Sequence, residues 1–217
     1  MKHNNILIWF ALATMLFAAC GGGDYTPKPQ AYLRIDMPEH SYWLVDTLCH
    51  AGDTVINSDT MVWISDKDKT FPFIFEANTC VELAEKGAPK GEIWLDIKYP
   101  QWDGVVFLTY KHLNGPADLR SQTDESARLL EKHYSLSSGI EEQGYDDAAN
   151  RVFGTVYYLK GSKVASTCQF WVTDSVHHYL RGALFLNRSP NNDSLAPVLN
   201  YIQEDIEHLV ETLRWRN

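Results

Sequence analysis

The hydrophobic positions of the chain change period several times, and each change marks an element. Residues 6–17 form an almost unbroken apolar run behind the basic Lys2, and the small pair Ala18-Ala19 closes it before Cys20. Residues 31–37 alternate weakly and predict an edge strand that stops at Pro38. The stretch 46–70 is polar, with Gly52, Asn57, Ser58 and several aspartates around a short apolar patch at 61–64, and reads as an elaborated loop or a small hairpin outside the core. Residues 71–75 are aromatic and contain Pro72, which suits an edge strand because proline donates no ladder hydrogen bond.

From residue 92 the pattern becomes regular. Ile93, Leu95 and Ile97 share one face of a strand over 92–98, and after the break at 99–104 a more apolar strand follows over 105–110. The two form a hairpin, or one strand interrupted by an excursion. A helix is predicted over 121–134, with Ser121 and Asp124 at capping-box spacing and Ala127, Leu130 and Tyr134 on one stripe. The glycine-containing polar stretch 135–150 reads as a loop. Strands follow over 152–160, 164–172 and 179–186, and the short turns at Gly161-Ser162 and Asp174-Ser175 force antiparallel neighbours, a meander. Asn191-Asn192-Asp193-Ser194 supplies N-cap chemistry for a helix over 195–214 whose stripe is Leu195, Val198, Leu199, Ile202, Ile206, Leu209 and Leu213. At a rise of ~1.5 Å per residue, a helix of that length spans ~30 Å, enough to cross a sheet. The predicted class is α+β, an antiparallel sheet covered by helices and closed by a long C-terminal helix. The order strand, turn, strand, turn, strand, long helix resembles the end of a PsbP/Mog1-type sandwich.

The first thirty residues carry a different message. A basic start, an apolar run too short to span a bilayer comfortably and a small-small-Cys ending resemble a bacterial lipoprotein signal, with Phe17 where leucine is commonest and Leu16 one place earlier. The expected organisation is a signal peptide over 1–19, a tether over 20–30 beginning at a lipidated Cys20, and a single domain over 31–217. Gly21, Gly22 and Gly23 make the tether flexible, and Pro27 and Pro29 stiffen its end. A single acyl chain holds a protein to a membrane marginally, at about 0.8 kcal/mol per buried CH₂, so several chains on Cys20 would make release rare.

Composition narrows the partners. The 217 residues include seven tryptophans, eleven tyrosines and nine phenylalanines, enough to furnish one substantial core. Acidic side chains outnumber basic ones by 28 to 19, and no Lys/Arg run occurs, so the summed field disfavours nucleic acid as a partner. With Cys20 lipidated, Cys49, Cys80 and Cys168 remain, an odd number that allows at most one disulfide. Cys49 with Cys80 is the candidate pair, because Cys168 falls in a predicted buried strand; three small buried hydrophobes is the alternative. No Cys-x-x-Cys or His-x-x-x-His spacing points to zinc, and no metal or cofactor is implied.

No nucleophile elbow, phosphate loop, dinucleotide fingerprint or His-Glu-x-x-His is present. The richest polar cluster is Asp174, His177, His178 and Arg181, whose carboxylate, imidazoles and guanidinium suit an anion, a metal or acid–base chemistry. The competing and favoured reading is that Asp174 and Ser175 stabilise a turn while the imidazoles sit in solvent or pack on aromatics. Glu141, Glu142, Asp146 and Asp147 lack the order of a calcium loop and read as a solvated loop. Trp43, Trp63, Trp94, Trp102 and Trp171 read as core or edge residues; several exposed together would mark a partner surface. Asp-Ser/Thr-aliphatic triplets at Asp46-Thr47-Leu48, Asp53-Thr54-Val55 and Asp59-Thr60-Met61 crowd into the polar stretch and resemble O-glycosylation acceptors of envelope proteins, with Thr47, Thr54 and Thr60 as the expected sites.

Several segments together resemble one family over essentially the whole mature chain. They are the cysteine with Asp24-Tyr25-Thr26-Pro27-Lys28-Pro29, the stretch Tyr32-Leu33-Arg34-Ile35-Asp36-Met37-Pro38, Gln169-Phe170-Trp171-Val172-Thr173-Asp174-Ser175, His178-Tyr179-Leu180-Arg181-Gly182-Ala183-Leu184, then Asn187, Pro190-Asn191 and Asp193-Ser194-Leu195. They are similar to the gliding-motility-associated lipoprotein D family (GldD). The resemblance implies a non-catalytic envelope lipoprotein that assembles with or supports the gliding and type IX secretion machinery, with other envelope proteins of that machinery as partners and only Cys20 as a functional position. Two alternatives are a periplasmic module that binds a small ligand or glycan, and an enzyme using Asp174, His178 and Arg181. Absence of aspartate after Cys20, and of an acidic cluster beyond it, favours the periplasmic face of the outer membrane.

Overall fold

A computed structural model describes the backbone of residues 36–57, 60–187 and 192–216, and their side chains except over 47–57 and 60–70. Among the described residues, ten strands and two α-helices follow one another: β1 Tyr42–Asn57, β2 Thr60–Asn78, β3 Glu82–Lys86, β4 Glu92–Tyr99, β5 Gly104–His112, α1 Pro116–Glu131, β6 Gly139–Asp147, β7 Val152–Lys160, β8 Cys168–Thr173, β9 His178–Leu186, α2 Asn192–Thr212 and β10 Arg214–Trp215. The class is α+β, with antiparallel sheets and a long C-terminal helix, as the sequence predicts.

Seven strands form one sheet in the order β3-β4-β5-β9-β8-β7-β6. It joins two meanders, β3–β4–β5 and β6–β7–β8–β9, through the β5–β9 ladder, in which Val106 faces Leu184 and Tyr110 faces Leu180. The predicted excursion at 99–104 is therefore the turn of a hairpin. Stretch 139–147, predicted as loop, is the edge strand β6, and β3 was not predicted at all.

The second sheet has the order β1-β2-β10. The stretch expected as loop or small hairpin belongs to a long antiparallel pair, β1 with β2, in which Tyr42 faces Asn78 and Asn57 faces Thr60. No strand occupies residues 36–41, and the earlier part of the predicted 31–37 strand lies outside the described residues. Residues 71–75 belong to β2, which is central in its sheet and not an edge. Pro72 is tolerated there because the β1 pairing shifts between Val45/Phe75 and Thr47/Thr70, a bulge that needs no N–H from residue 72. On its other side, the Pro72 carbonyl accepts from the Arg216 amide.

Strand alternation sends Phe71, Phe73 and Phe75 inward, where they are buried and the Phe73 ring lies 5.5 Å from that of Tyr110. Each fully buried aromatic of this kind contributes roughly 1.5–3 kcal/mol of transfer free energy. The main core runs from these rings to the Val198, Ile202, Ile206 and Leu209 stripe of α2 and to Leu95, Leu108, Phe170 and Leu180 of the seven-stranded sheet. One face of that sheet is thus covered by β2 and α2, and α1 lies on the other. The helix α1 starts five residues before its predicted position: Gly115, at φ 149°, precedes Pro116 in the first turn, and Asp118 accepts from the Asn114 amide. Its inward residues are Ser126 and Leu130, while Ala127 and Tyr134, expected on the stripe, are exposed.

Candidate functional site

The turn between β8 and β9 holds three of the four residues singled out by sequence, and the fourth leaves them. Asp174 Oδ1 accepts from the amides of Val176, His177 and His178 at 2.9, 2.8 and 2.7 Å. Burial pushes the Asp174 carboxyl up, but those three N–H groups outweigh it and hold it below the usual carboxylate range. Ser175 takes a left-handed conformation at φ 68°, the cost of so tight a turn. His178 is buried, hydrogen-bonded through Nδ1 to the Tyr110 hydroxyl at 2.9 Å and stacked on Trp215 with centroids 5.1 Å apart. Its burial holds it below the ordinary imidazole range, with Asp174 opposing and His112, His177 and Arg151 adding to the shift. Arg181 is three residues along β9, an odd step, so it projects from the opposite face of the sheet. The acid–base arrangement of Asp174, His178 and Arg181 is therefore not assembled, because the carboxylate is committed to backbone amides and the guanidinium lies across the sheet.

That opposite face carries the more open chemistry. On it α1 packs over β8 and β9, where Ser126 Oγ and Tyr179 hydroxyl lie 2.6 Å apart and Tyr179 also donates to the Gln122 carbonyl. Burial pushes the Tyr179 phenol up to about 12. Beyond α1, the strands β3, β4 and β5 present Lys86, Trp94 and Phe107 to solvent: Lys86 pairs with Trp94 in the ladder, and Trp94 with Thr109, two residues from Phe107. Trp94 and Phe107 are each 37% exposed. The Lys86 ammonium sits 5.0 Å over the Phe107 ring and 2.6 Å from the buried Asp96 carboxylate, and Phe107 contacts Phe185 at 5.7 Å between centroids. Of the tryptophans singled out, Trp94 alone among those whose side chains are described is exposed.

Between this open face and α1 lies a cleft of about 220 Å³, lined among others by Trp94, Thr109, Lys111, Glu125 and Arg181. The Lys111 ammonium stands 3.6 Å from both Glu92 and Glu125. Arg181 donates to Gln169 Oε1 at 3.1 Å. A larger hollow of about 520 Å³ lies where α2 meets β6 and β7, with Gln143, Tyr158, Thr167, Asn200, Gln203 and Glu207 in its lining.

A third polar centre, under α2, escaped the sequence reading. Asp205 is buried and accepts from His40 Nδ1 at 2.8 Å, Asn78 Nδ2 at 3.0 Å and the Tyr99 hydroxyl at 2.9 Å. His40 also reaches Glu204 at 2.9 Å and stacks on Tyr201, and Tyr42 stacks on His208. Burial first, then the Asp205 charge, pushes the Tyr99 phenol well up. The available signal was position: Asp205 follows Ile202 by three and precedes Leu209 by four, which puts a carboxylate on the apolar stripe.

Glu141 of the acidic stretch lies in β6 and pairs with Lys160 at 2.8 Å. Cys80 is a free, half-buried thiol, pushed by burial up to about 11. The expected bridge from Cys80 to Cys49 falls on a side chain outside the described ones; the ladder sets the Cys49 backbone opposite Ser65, whereas Cys80 follows the Tyr42/Asn78 end. Thr47, Thr54 and Thr60 lie in the β1–β2 pair, their side chains outside the described ones, and Cys20 with residues 1–35 lies outside the described residues altogether. Among the described residues, no helix is long and apolar enough to cross a membrane, and no group of three or more His, Cys, Asp or Glu is placed to hold a metal ion.

Residues 51–215 match the family model described as Gliding motility lipoprotein GldD. No curated protein and no solved structure matches the chain, so the likeness to a PsbP/Mog1-type sandwich adds nothing to the α+β class.

Proposed function

The chain belongs to the Gliding motility lipoprotein GldD family, and on that premise we propose that it is a non-catalytic assembly component of the gliding and type IX secretion machinery, tethered by lipid on Cys20. Membership makes it a lipid-anchored protein of the cell envelope, associated with gliding motility. The finer reading extends this: residues 1–19 are removed as a signal peptide, residues 20–30 form the tether, and the domain works at the periplasmic face of the outer membrane. Thr47, Thr54 and Thr60 carry the sugars.

The observation that carries the assembly role is the exposed pair Trp94 and Phe107, bracketed by Lys86 on the half of the sheet that α1 leaves open. Aromatic side chains that stay accessible beside a cation are the chemistry of a protein docking surface. The polar centres at Asp174 and Asp205 are satisfied internally, the first by its own turn and the second by three donors.

The test is mild detergent extraction of native envelopes, followed by size separation and identification of co-migrating proteins. Wild type is expected in a large assembly with gliding and secretion components. Phe107→Ser and Cys20→Ala are expected to lose or reduce it, the first while the domain still unfolds in one cooperative transition with a modestly lowered thermal midpoint. Migration of wild type at monomer size, or an undiminished assembly with Phe107→Ser, overturns the proposal.

A further inference from the structure

Arg181 is the one described cation deep in a cleft that lacks an acidic partner. Its side chain offers five N–H donors in a rigid fork, and one of them is used, on Gln169 Oε1. No carboxylate forms an ion pair with it among the described residues, whereas the neighbouring Lys111 is flanked by Glu92 and Glu125. Gln169 is 97% buried by its 3% exposure, and with Oε1 turned to Arg181 its Nε2 is left without a partner. The buried amide is thus oriented by the guanidinium at the cost of its own second hydrogen bond. Burial pushes Arg181 below the ordinary guanidinium range, and Tyr179 and Glu125 only partly offset it. A cation withdrawn from water and not neutralised by its own chain is the usual starting state of an anion site.

We propose that the cleft between α1 and β4, β5 and β9 binds a carboxylate carried on a flat apolar group. The carboxylate takes two N–H donors of Arg181 in a fork-to-fork pair, the geometry that suits guanidinium best. Trp94 and Leu129, both in the lining, cover the apolar part, with Thr109 beside them. The rim selects the charge: Glu92 and Glu125 stand in the same lining and repel a dianion such as phosphate, while a single planar carboxylate is balanced by Arg181 alone. Nothing in this site depends on the docking face being occupied, although Trp94 borders both.

The experiment titrates the full-length lipidated protein, in detergent micelles, with benzoate, its uncharged isostere benzamide and inorganic phosphate. The readouts are the NMR signals of the Arg181 side chain and the Trp94 indole, and the thermal midpoint. Benzoate is expected to move both signals and raise the midpoint, with benzamide and phosphate at least about tenfold weaker. Arg181→Gln is expected to abolish the response, and Arg181→Lys to weaken it by about tenfold, since the charge remains and the fork is lost. If Arg181→Gln fails to fold, the benzoate-to-benzamide contrast in wild type decides alone. Equal binding of benzamide, preferential binding of phosphate, or no movement of the Arg181 signal with millimolar benzoate each overturns the proposal. Co-migration in envelope extracts reads the docking face and is scored separately, so either reading fails without the other.

Discussion

Gly182 lies directly beneath the ring of Phe170, its ladder partner on β8: a Cβ built at residue 182 would stand 2.1 Å from Phe170 Cε1 and 2.4 Å from Cζ. Glycine is required there by space, and the strand that carries Arg181 on one face is clamped on the other by a buried phenylalanine. Gly182→Ala forces the ring out of the core and is expected to destabilise the protein by about 2–3 kcal/mol, the upper range for overpacking. Urea unfolding of Gly182→Ala alone and combined with Phe170→Leu checks this. The double variant recovers part of the loss if the clash is the cause; an additive double loss refutes it.

Much of this framework is readable from sequence, and what is not has physical reasons. Strands β7, β8 and β9 announce themselves because each is a run of apolar and aromatic residues, buried almost continuously in β8 and β9, and the connections between them carry Gly161 and Ser175. Strand β6 is silent because Glu141, Glu142, Gln143 and Gly144 are all exposed, so an edge strand with no buried face leaves no period to detect. The cluster Asp174, His177, His178 and Arg181 is legible as composition, while its break-up across the sheet follows from strand parity once β9 is accepted as a strand. Asp205 is marked locally only by its place on the apolar stripe, with nothing to name its partners, and the Trp94 face depends on which side chains tertiary packing covers, which no local pattern encodes.

His178 ties stability to pH. Its folded-state value lies below the ordinary ~6.5, so the unfolded chain binds more protons between the two values, and stability falls as pH drops through that window. Asp174 acts in the same direction at lower pH, its stabilisation lost as its depressed carboxyl protonates. His178→Phe is therefore expected to lower the thermal midpoint at about pH 7.5 and to do so by a smaller margin at about pH 5.5. A margin that is unchanged or larger at the lower pH contradicts the buried neutral imidazole.

The lipid and the sugars are both mass differences. Native protein is expected to begin at Cys20 with acyl chains attached, and to carry added hexose that disappears stepwise as Thr47, Thr54 and Thr60 are changed to valine. Intact-mass measurement of wild type and of the triple variant reads both at once. An unmodified mass from Cys20 onward excludes the anchor, and a wild-type mass without hexose excludes the glycans.

Asp205 is the deepest test of how α2 is held. Its carboxylate sits on the apolar stripe of a helix and collects donors from three other places in the chain: His40 before β1, Asn78 at the end of β2 and Tyr99 at the end of β4. Removing it takes an acceptor from all three, leaving the buried Tyr99 hydroxyl unpaired while Asn78 keeps Tyr201 and the half-buried His40 keeps Glu204, so at roughly 1 kcal/mol or more for each bond lost Asp205→Ala is expected to cost about 3 kcal/mol. Asp205→Asn keeps the shape but offers one acceptor oxygen in place of two, and is expected to cost about half as much. Asn78→Ala removes a single donor, yet Asn78 also donates to the Tyr201 hydroxyl at 2.8 Å, so its loss spreads to a second partner. In a double-mutant cycle the pair Asp205→Ala and Asn78→Ala is expected to couple by about 1 kcal/mol. Strict additivity would mean that α2 is held by its Ile202, Ile206 and Leu209 stripe alone, and that the polar centre merely occupies the space between layers.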